Sequence, residues 1–598
     1  MSTFGGPEPP PNPPLAPPPS ASPPLEPPPY APPPDVPPQF GPSAPLSEAD
    51  AVPEARAEHS RAFRALAGGG IAVLVAGGVA AAVLAFGFLR GSADSMVSFA
   101  PSDTAVYVNL NLDPSGGQKL ALNTILGKFP GLSGGSRDST INGWLDTGLR
   151  SSGLSHGDVR TWLGSQVSLI VLRSSAGTIP AEVSLIASTN DSAAQAMFAK
   201  FKSGPVGHAQ RWTTATYDGV TLNAAQDSSG GTTVWAITAH TVIVGTSETA
   251  VDEVIDTSQG KDANLASQTD YTAVQARIPS DRIAFLYLDM PHLGALIPST
   301  AVAGVSGSLR GYQGIGEAVV ASSSGISVSG TIDFDAAKLS AAARATLGVA
   351  AHTNGALAYV PGRAFGFVTL VGLPQLLKSV VSLAGSSLGA SGSDALNQLG
   401  ITGSSGIISH LTGDAGIEVD QLPGASVPSG ALLLATDGST ALQNFLDQLA
   451  NTLCTAAQGC GSSTATRQTY QGVAISTITI RGADSSQLSP SWAMVNGWAI
   501  VASTPAEVRA VIDAKRGSNI TTSPQYQAIA GKVDTTNNGM FYLNVRTLIA
   551  AVRAVLPADI RATYDQQIAP YVTPVQAIGA SSRSYSDHIA TSEFVLIR

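Results

Sequence analysis

Two short serine motifs are the first places where this chain could perform chemistry. Residues 131–135 (GLSGG) and 385–389 (GSSLG) fit the pattern G-x-S-x-G, in which a hydrolase serine stands between a buried strand and a helix. Neither serine follows a strong strand pattern, and the 62 glycines make chance matches easy. Ser258 and Lys261 fit S-x-x-K, but the companion motifs of penicillin-binding proteins are missing. The motifs therefore predict no catalytic residue.

A pair of carboxylates and the histidines are the other candidates. Asp333 and Asp335 alternate in TIDFD and would lie roughly 7 Å apart on one face of a strand, a spacing that suits Ca²⁺ binding or acid-base work. We match this segment with TSEFVL, which keeps Glu593 but has Val595 for the second acid, so a solvent-facing strand end is favoured. The eight histidines show no H-x-H or H-E-x-x-H spacing. We predict neither a metal site nor a cofactor.

The two cysteines, Cys454 and Cys460, predict a local disulfide. Both lie in the part of the chain that we expect to be exported, where an oxidising compartment allows pairing. C-x5-C without a nearby histidine pair is poor zinc spacing, and no redox C-x-x-C is present. Because the closed loop is short, such a bridge would add little to global stability.

One apolar segment organises the rest of the chain. It runs from Leu66 to Leu89 without a charged side chain, and its length meets the roughly 20 residues that a membrane-spanning helix needs. Three arginines precede it, whereas only Arg90 follows before Lys119. Since cytoplasmic flanks retain the cations, this asymmetry predicts a cytoplasmic N-terminus and an extracytoplasmic C-terminal part. A cleaved signal peptide is the alternative, but its apolar core is shorter and closer to the start of the chain.

The segment before the apolar run is rich in proline. Residues 1–53 hold 22 of the 40 prolines, a composition that cannot bury a core and favours disorder with polyproline II character. We predict a disordered tail over residues 1–55. It is either a solvated spacer or a docking tail for a cytoplasmic partner.

Composition excludes one class of partner. The net charge of −10 argues against a protein that binds nucleic acid, which needs a basic face. Alternating β-type runs such as QVSLIVLR, AEVSLIAST and RIAFLYLDM are interrupted by helical patterns. Antiparallel meanders with packed helices predict an α+β fold.

The chain then repeats its own pattern, which indicates a tandem duplication. IVGTSETAVDEVID at 243–256 returns as IVASTPAEVRAVID at 500–513, with Ser247 and Thr504 as helix N-caps and Pro505 as the first helical residue. FLYLD at 285–289 matches MFYLN at 540–544, and AVYV at 105–108 is matched with LAYV at 357–360. We place the two repeats at residues 97–347 and 348–598.

These segments also resemble a known family. The opening FAPSDTAVYVNLNLDPSGGQKLALNTILGKFPG, the Y-x-G-V strand and the segment 264–289 are similar to the domain of unknown function thirty-three fifty-two. The resemblance covers most of residues 97–598. It implies a membrane-anchored bacterial envelope protein, and it implies no activity, because the family has none assigned.

Two classes of function follow from these observations. The first is a non-catalytic binding or scaffolding module of the cell envelope, anchored by a single span and serving an envelope protein or an apolar or lipid ligand. The second is an envelope hydrolase with a dispersed active site. Two copies of one unit tend to pack as a pseudo-symmetric pair. The segments 291–307 and 365–385, which we predict to be apolar helices, would then lie between the copies, either as an interface core or as the lining of a groove.

Overall fold

The computed structural model describes the chain from residue 94 to its end, with gaps. The residues within this range that are not described are 134–135, 174–179, 229, 297–309, 382–396, 398–399, 404–405, 424, 426, 458–464 and 482–486. The proline-rich tail, the segment from Leu66 to Leu89, the second G-x-S-x-G motif and Cys460 lie outside the described residues. In the part that is described, no helix has both the length and the apolarity to cross a membrane.

Twenty of the described strands form one antiparallel sheet. The first half of the chain contributes β1 Val106–Asn111, β2 Leu163–Leu172, β3 Ala181–Ser188, β4 Arg211–Tyr217, β5 Val220–Gln226, β6 Thr232–Thr238, β7 Thr241–Gly245, β8 Ala284–Asp289, β9 Tyr312–Ser322 and β10 Gly325–Phe334. The second half contributes β11 Gly366–Leu370, β12 Leu411–Asp420, β13 Ser429–Thr436, β14 Thr466–Tyr470, β15 Val473–Thr477, β18 Ser491–Val495, β19 Trp498–Ala502, β20 Gly539–Leu543, β21 Val575–Ser584 and β22 His588–Ile597, while β16 Ile480–Arg481 and β17 Gln487–Leu488 pair separately.

Helices connect the strands in both halves. In the first half they are α1 Gly116–Leu126, α2 Ser136–Leu149, α3 His156–Arg160, α4 Asp191–Ser203, α5 Pro205–His208, α6 Glu248–Ser258, α7 Thr269–Arg277 and α8 Met290–Leu296. After α9 Ala341–Leu347, the second half has α10 Ala441–Ala457, α11 Pro505–Ala514, α12 Pro524–Ala530, α13 Val545–Val555, α14 Ala558–Gln567 and α15 Ala569–Val572, besides a helix over residues 373–381. These elements confirm the predicted mixture of helices and antiparallel sheet.

The strand pairings of the second half repeat those of the first. The order in the first half is β4-β5-β6-β7-β3-β2-β1-β8-β9-β10. The order in the second half is β14-β15-β18-β19-β13-β12-β11-β20-β21-β22. Antiparallel pairing of β10 with β22 joins the two series into one sheet.

Each half has its own core on the inner face of the sheet. In the first, Tyr107 and Tyr287 of the sheet are buried with Tyr271 of α7. In the second, Phe367 and Tyr542 of the sheet are buried with Tyr526 of α12. The tyrosines of each core meet edge to face, with ring centroids 5.2 Å apart for Tyr271 and Tyr287 and 5.6 Å apart for Tyr526 and Tyr542. Such T-shaped pairs are favourable beyond the area that they bury.

Local signals in the sequence account for several helix starts. The Ser115 side chain accepts a hydrogen bond from the Gln118 amide at the start of α1, and Thr504 accepts one from the Glu507 amide before Pro505. Ser247 holds the same place before α6, without a side-chain hydrogen bond. The predicted cap positions and the place of Pro505 are thereby confirmed.

Two sequence matches between the halves are wrong. LAYV at 357–360 is not a counterpart of β1, because it falls in and just after a 3-10 helix, Gly355–Ala358, that corresponds to Met96–Phe99. The counterpart of β1 is β11, since Val106 pairs with Val171 and Leu288 just as Gly366 pairs with Val419 and Leu543. The match of TIDFD with TSEFVL is also out of register. Gly316 pairs with Thr331 just as Gly579 pairs with Phe594, so the residue of β22 that corresponds to Asp333 is Leu596 and not Glu593.

The predicted apolar helices at 291–307 and 365–385 are only partly helical. Residues 291–296 belong to α8, and 297–307 lie outside the described residues. The segment 366–370 is strand β11 and not helix, and the helix 373–381 packs through Leu373 and Leu377 on Leu411 and Leu442 of its own half. The same helix also touches the first repeat, because the Ser379 hydroxyl lies 3.2 Å from the Thr346 hydroxyl of α9 and 3.4 Å from the Ala342 carbonyl.

Candidate functional site

Those serines of the motifs that the structure describes do not form a nucleophile. Ser133 follows helix α1 rather than a strand. The Ser258 hydroxyl donates to the Ile255 carbonyl, 2.8 Å away, and the Lys261 ammonium pairs with Asp256 at 3.0 Å and with Asp218. Ser258 and Lys261 therefore stabilise the C-terminal end of α6.

The Asp333 and Asp335 pair is not assembled either. Strand β10 ends at Phe334, so Asp335 lies beyond it and pairs with Lys338 at 3.2 Å. The Asp333 carboxylate is buried and forms an ion pair with Arg277, whose Nη1 lies 2.5 Å from Asp333 Oδ2. Across the described residues, no group of three or more histidine, cysteine, aspartate or glutamate side chains is arranged to hold a metal ion.

One serine, histidine and aspartate group comes close to a triad that sequence reasoning missed. His410 Nδ1 lies 2.8 Å from Asp437 Oδ2 and 3.1 Å from Ser439 Oγ. A catalytic histidine accepts the serine proton on one ring nitrogen while the other nitrogen donates to the acid. Here the same nitrogen meets both partners, so the group stabilises a turn, and the contact with His410 lowers the pKa of Asp437 to about 2.

Cys454 lies in α10 and is buried against Trp492 and Ile478. Cys460 lies outside the described residues, so the disulfide stays a prediction.

An exposed row of apolar side chains crosses three neighbouring strands of the second half. Phe541 of β20 pairs with Val368 of β11, which pairs with Ile417 of β12. Val419 follows on the same face of β12. These four side chains, which we call the apolar strip, are 39%, 50%, 55% and 44% exposed, respectively.

The apolar strip lies on the outer face of the sheet, opposite the core. On one side of it, the helix 373–381 packs near Leu434 of β13; on the other, α13 packs against β21. The corresponding side chains of the first half, Leu286, Val108, Leu169 and Val171, are half-buried. Contiguous exposed apolar surface of this kind marks a binding site more often than isolated apolar residues do.

Three buried acids, which we call the acid cluster, lie at the inner face of β12. Glu418 and Asp420 alternate with Ile417 and Val419, and Glu507 reaches them from α11; all three carboxyl groups belong to residues with 0% exposure. One cation is present, because Arg363 Nη2 lies 2.7 Å from Asp420 Oδ2.

Burial dominates the ionisation of the acid cluster. Loss of solvent, with smaller effects of the neighbouring Glu507 and Asp420, raises the pKa of Glu418 to about 9. Burial and then Asp420 raise the pKa of Glu507, while burial raises the pKa of Asp420 against the opposing effect of Arg363. All four carboxyl oxygens of Glu418 and Glu507 are buried without a hydrogen-bond partner, and each carboxyl affects the ionisation of the other. Two neighbouring carboxyl groups can satisfy each other only when one of them carries a proton.

The first half has no acids at these places. Ile170 and Leu172 of β2 correspond to Glu418 and Asp420, because Val106 pairs with Val171 just as Gly366 pairs with Val419. Ala250 of α6 corresponds to Glu507. All three belong to the apolar core of the first half. The acid cluster is therefore a feature that distinguishes the second half from the first.

The fold and these surfaces define an α+β protein in which a repeated antiparallel sheet carries an exposed apolar strip. The chain belongs to the family described as Protein of unknown function (DUF3352), whose model matches residues 66–451 and 403–579. This match confirms the family resemblance, and its description assigns no activity. No curated protein matches the sequence.

Three solved structures show weak similarity. They are crystal forms III, IV and I of TP0453, which are 12%, 10% and 11% identical to this chain. The aligned parts cover 44%, 40% and 44% of this chain and 90%, 81% and 89% of theirs, with TM-scores of 0.24, 0.22 and 0.23. Such scores support no argument about fold or function.

Proposed function

We propose that this protein is a single-pass, membrane-anchored binding module of the cell envelope whose apolar strip holds the acyl chain of a lipid. The exposed strip of Phe541, Val368, Ile417 and Val419 is the observation that carries the proposal. Covering four half-exposed side chains would contribute on the order of 1 kcal/mol for each of them. The protein is non-catalytic in this proposal.

The chemistry of the apolar strip suits an acyl chain. No charged or hydrogen-bonding side chain belongs to the strip, because Glu418 and Asp420 point to the opposite face of β12. Arg546 is exposed at the start of α13, three residues after β20 ends. An arginine so close to the strip suits an anionic headgroup.

The anchor is the segment from Leu66 to Leu89, with the tail inside the cell and the sheet outside. The first described residue, Asp94, follows Arg90 by four positions, so even an extended connector would hold Asp94 within about 14 Å of Arg90. The tail serves as a spacer or as a docking segment for a cytoplasmic partner. We also infer that the two halves arose by tandem duplication, for which the repeated strand pairings are the support.

Lipid that co-purifies with the full-length protein in mild detergent tests the proposal. Native mass spectrometry should detect a stoichiometric lipid with the wild type. A triple variant, Val368→Thr, Ile417→Thr and Val419→Thr, should bind it roughly a hundredfold more weakly. Threonine retains the preference for strands, so the melting temperature should change little.

The matched control is Leu120→Thr, which alters a 69% exposed leucine on α1 of the first half. It should leave lipid occupancy unchanged. Absence of lipid from the wild type, or equal occupancy in the triple variant, would contradict the proposal.

Protease accessibility tests the orientation. Protease added to intact spheroplasts should remove the C-terminal part and spare an epitope placed in the tail, because the arginines that precede Leu66 favour a cytoplasmic N-terminus. Loss of the tail epitope with an intact C-terminal part would reverse the assignment.

A further inference from the structure

The acid cluster connects the helix α11 to the strand that forms part of the apolar strip. Glu418 and Asp420 occupy the inner face of β12, whereas Ile417 and Val419 occupy its outer face. Glu507 stands at the first turn of α11. Its carboxyl and that of Glu418 are near enough to affect each other's ionisation, and all four of their oxygens are buried without a hydrogen-bond partner. Whatever changes the contact between Glu418 and Glu507 therefore acts directly on the strand beneath the apolar strip.

The composition of the acid cluster is unusual for a structural role alone. At the corresponding positions the first half has Ile170, Leu172 and Ala250, which are part of its apolar core. Replacing apolar groups by buried acids costs free energy unless each is paired. With Arg363 as the partner of Asp420, the contact between Glu418 and Glu507 depends on a bound proton.

We propose that the acid cluster is a proton-operated latch, which holds α11 against β12 while Glu418 and Glu507 share a proton and loosens both elements when that proton is lost. The latch would hold the strip in its ordered form at mildly acidic and neutral pH. Its connection with lipid binding rests on the function proposed above, whereas the latch itself does not.

The pKa shifts of Glu418 and Glu507 determine how the stability of the latch changes with pH. The pKa of both glutamic acids is raised in the folded protein relative to the ordinary value of 4.5. The folded state therefore binds a proton more tightly than the unfolded state. The stabilisation is fully present below pH 4.5 and is lost as the pH rises towards the folded value of about 9 for Glu418.

No other described group replaces the proton. The charged and polar groups that act on the pair are Asp420 of the same strand, Arg363 before β11 and Ser429 of β13. Arg509 and Asp513, which also belong to α11, contact Gln468 and Tyr470 of β14 instead. Arg363 is held by Asp420, so a second negative charge on the glutamate pair has no cation of its own.

Hydrogen exchange of the full-length protein in detergent tests the latch, and the first half serves as an internal reference. The measured quantity is the protection of amides in α11 and β12 divided by that in α6 and β2. This ratio cancels the intrinsic effect of pH on exchange. Between pH 6 and pH 8 it should fall by up to about tenfold per pH unit for one linked proton.

Two variants separate the latch from general instability. Glu418→Gln replaces the titrating acid by a neutral amide of the same size, and it should make the ratio nearly independent of pH. A quadruple variant, Glu418→Ile, Asp420→Leu, Ser429→Ala and Glu507→Ala, copies the first half and should do the same. A constant ratio in the wild type, or one that stays pH-dependent in Glu418→Gln, overturns the proposal.

Lipid occupancy measured at the same two pH values distinguishes the two proposals. A pH-dependent ratio without co-purifying lipid would retain the latch and defeat the proposed lipid function. Bound lipid with a constant ratio would retain the lipid function and defeat the latch. With both proposals correct, lipid occupancy should be lower at pH 8 than at pH 6.

Discussion

Replacing Arg277 by alanine should lower the free energy of unfolding by about 3–5 kcal/mol, the cost of leaving a buried charge without its partner. The Arg277 guanidinium contacts the Asp333 carboxylate at 2.5 Å and the Asp587 carboxylate at 2.7 Å. The Asp333 side chain is only 4% exposed, so water cannot replace the lost cation. Denaturant unfolding of the full-length protein, followed by circular dichroism, measures the loss.

The loss of Arg277 should also affect the junction between the two halves of the sheet. Asp333 lies in β10 and Asp587 immediately precedes β22, the two strands whose pairing joins the halves of the sheet. A double variant, Arg277→Ala with Asp333→Asn, removes the orphaned charge and should recover most of the loss. The introduced amide oxygen would still accept the hydrogen bond that the Thr331 hydroxyl now donates to Asp333, 2.7 Å away.

An exposed ion pair provides the control for Arg277. Arg583 lies 3.1 Å from Asp534, and both side chains are about a third exposed. Exposed pairs contribute about 0–1 kcal/mol, so Arg583→Ala should cost less than about 1 kcal/mol. A loss of the same small size for Arg277→Ala would show that the pairing of β10 with β22 does not depend on the buried charge.

The elements that the sequence predicted well are those with strong local signals. Helices α6 and α11 carry an N-cap, an acidic first turn and apolar residues at helical spacing. The match between 243–256 and 500–513 aligned them correctly because these features extend over 14 residues. AVYV and LAYV failed because four apolar residues fit a strand or a buried 3-10 turn equally well.

The candidate site could not be predicted, although its residues were visible. In GIEVD of β12, the alternation shows that Ile417 and Val419 share one face and that Glu418 and Asp420 share the other. The usual expectation places the apolar face inward. The structure reverses it, because Glu418 and Asp420 are fully buried whereas Ile417 and Val419 are exposed. Periodicity defines the two faces of a strand and leaves open which one the tertiary structure buries.

The pairing of β10 with β22 also could not be predicted from the sequence. Both strands have a simple alternating pattern, and nothing local in either one specifies a partner roughly 260 positions away. The partner is specified by contacts between elements, such as the bridge from Arg277 to Asp333 and Asp587. Such contacts join residues that no motif connects.

Replacing Gly579 by alanine should destabilise the protein by about 3 kcal/mol, at the upper end of the range for overpacking. Gly579 lies in β21 beneath α12, and a Cβ there would be 2.1 Å from Ile529 Cγ2. The first half repeats this contact, since a Cβ on Gly316 of β9 would be 2.1 Å from Val274 Cγ1 of α7. Gly316→Ala should therefore have a similar cost.

A double-mutant cycle shows whether the close contact is the cause. Ile529→Ala removes the obstructing methyl group, so the combined variant should be more stable than the sum of the two single losses predicts, by about 0.5–3 kcal/mol. Gly143→Ala is the control, because nothing lies within 4 Å of the added carbon on α2. It should stabilise the protein by about 0.5–1 kcal/mol through helix propensity.

Strictly additive losses for Gly579 and Ile529 would show that α12 can move away from the sheet. Equal coupling in both halves would instead mean that one packing rule, a glycine in the sheet beneath a branched residue of the helix, has been kept in both copies of the fold.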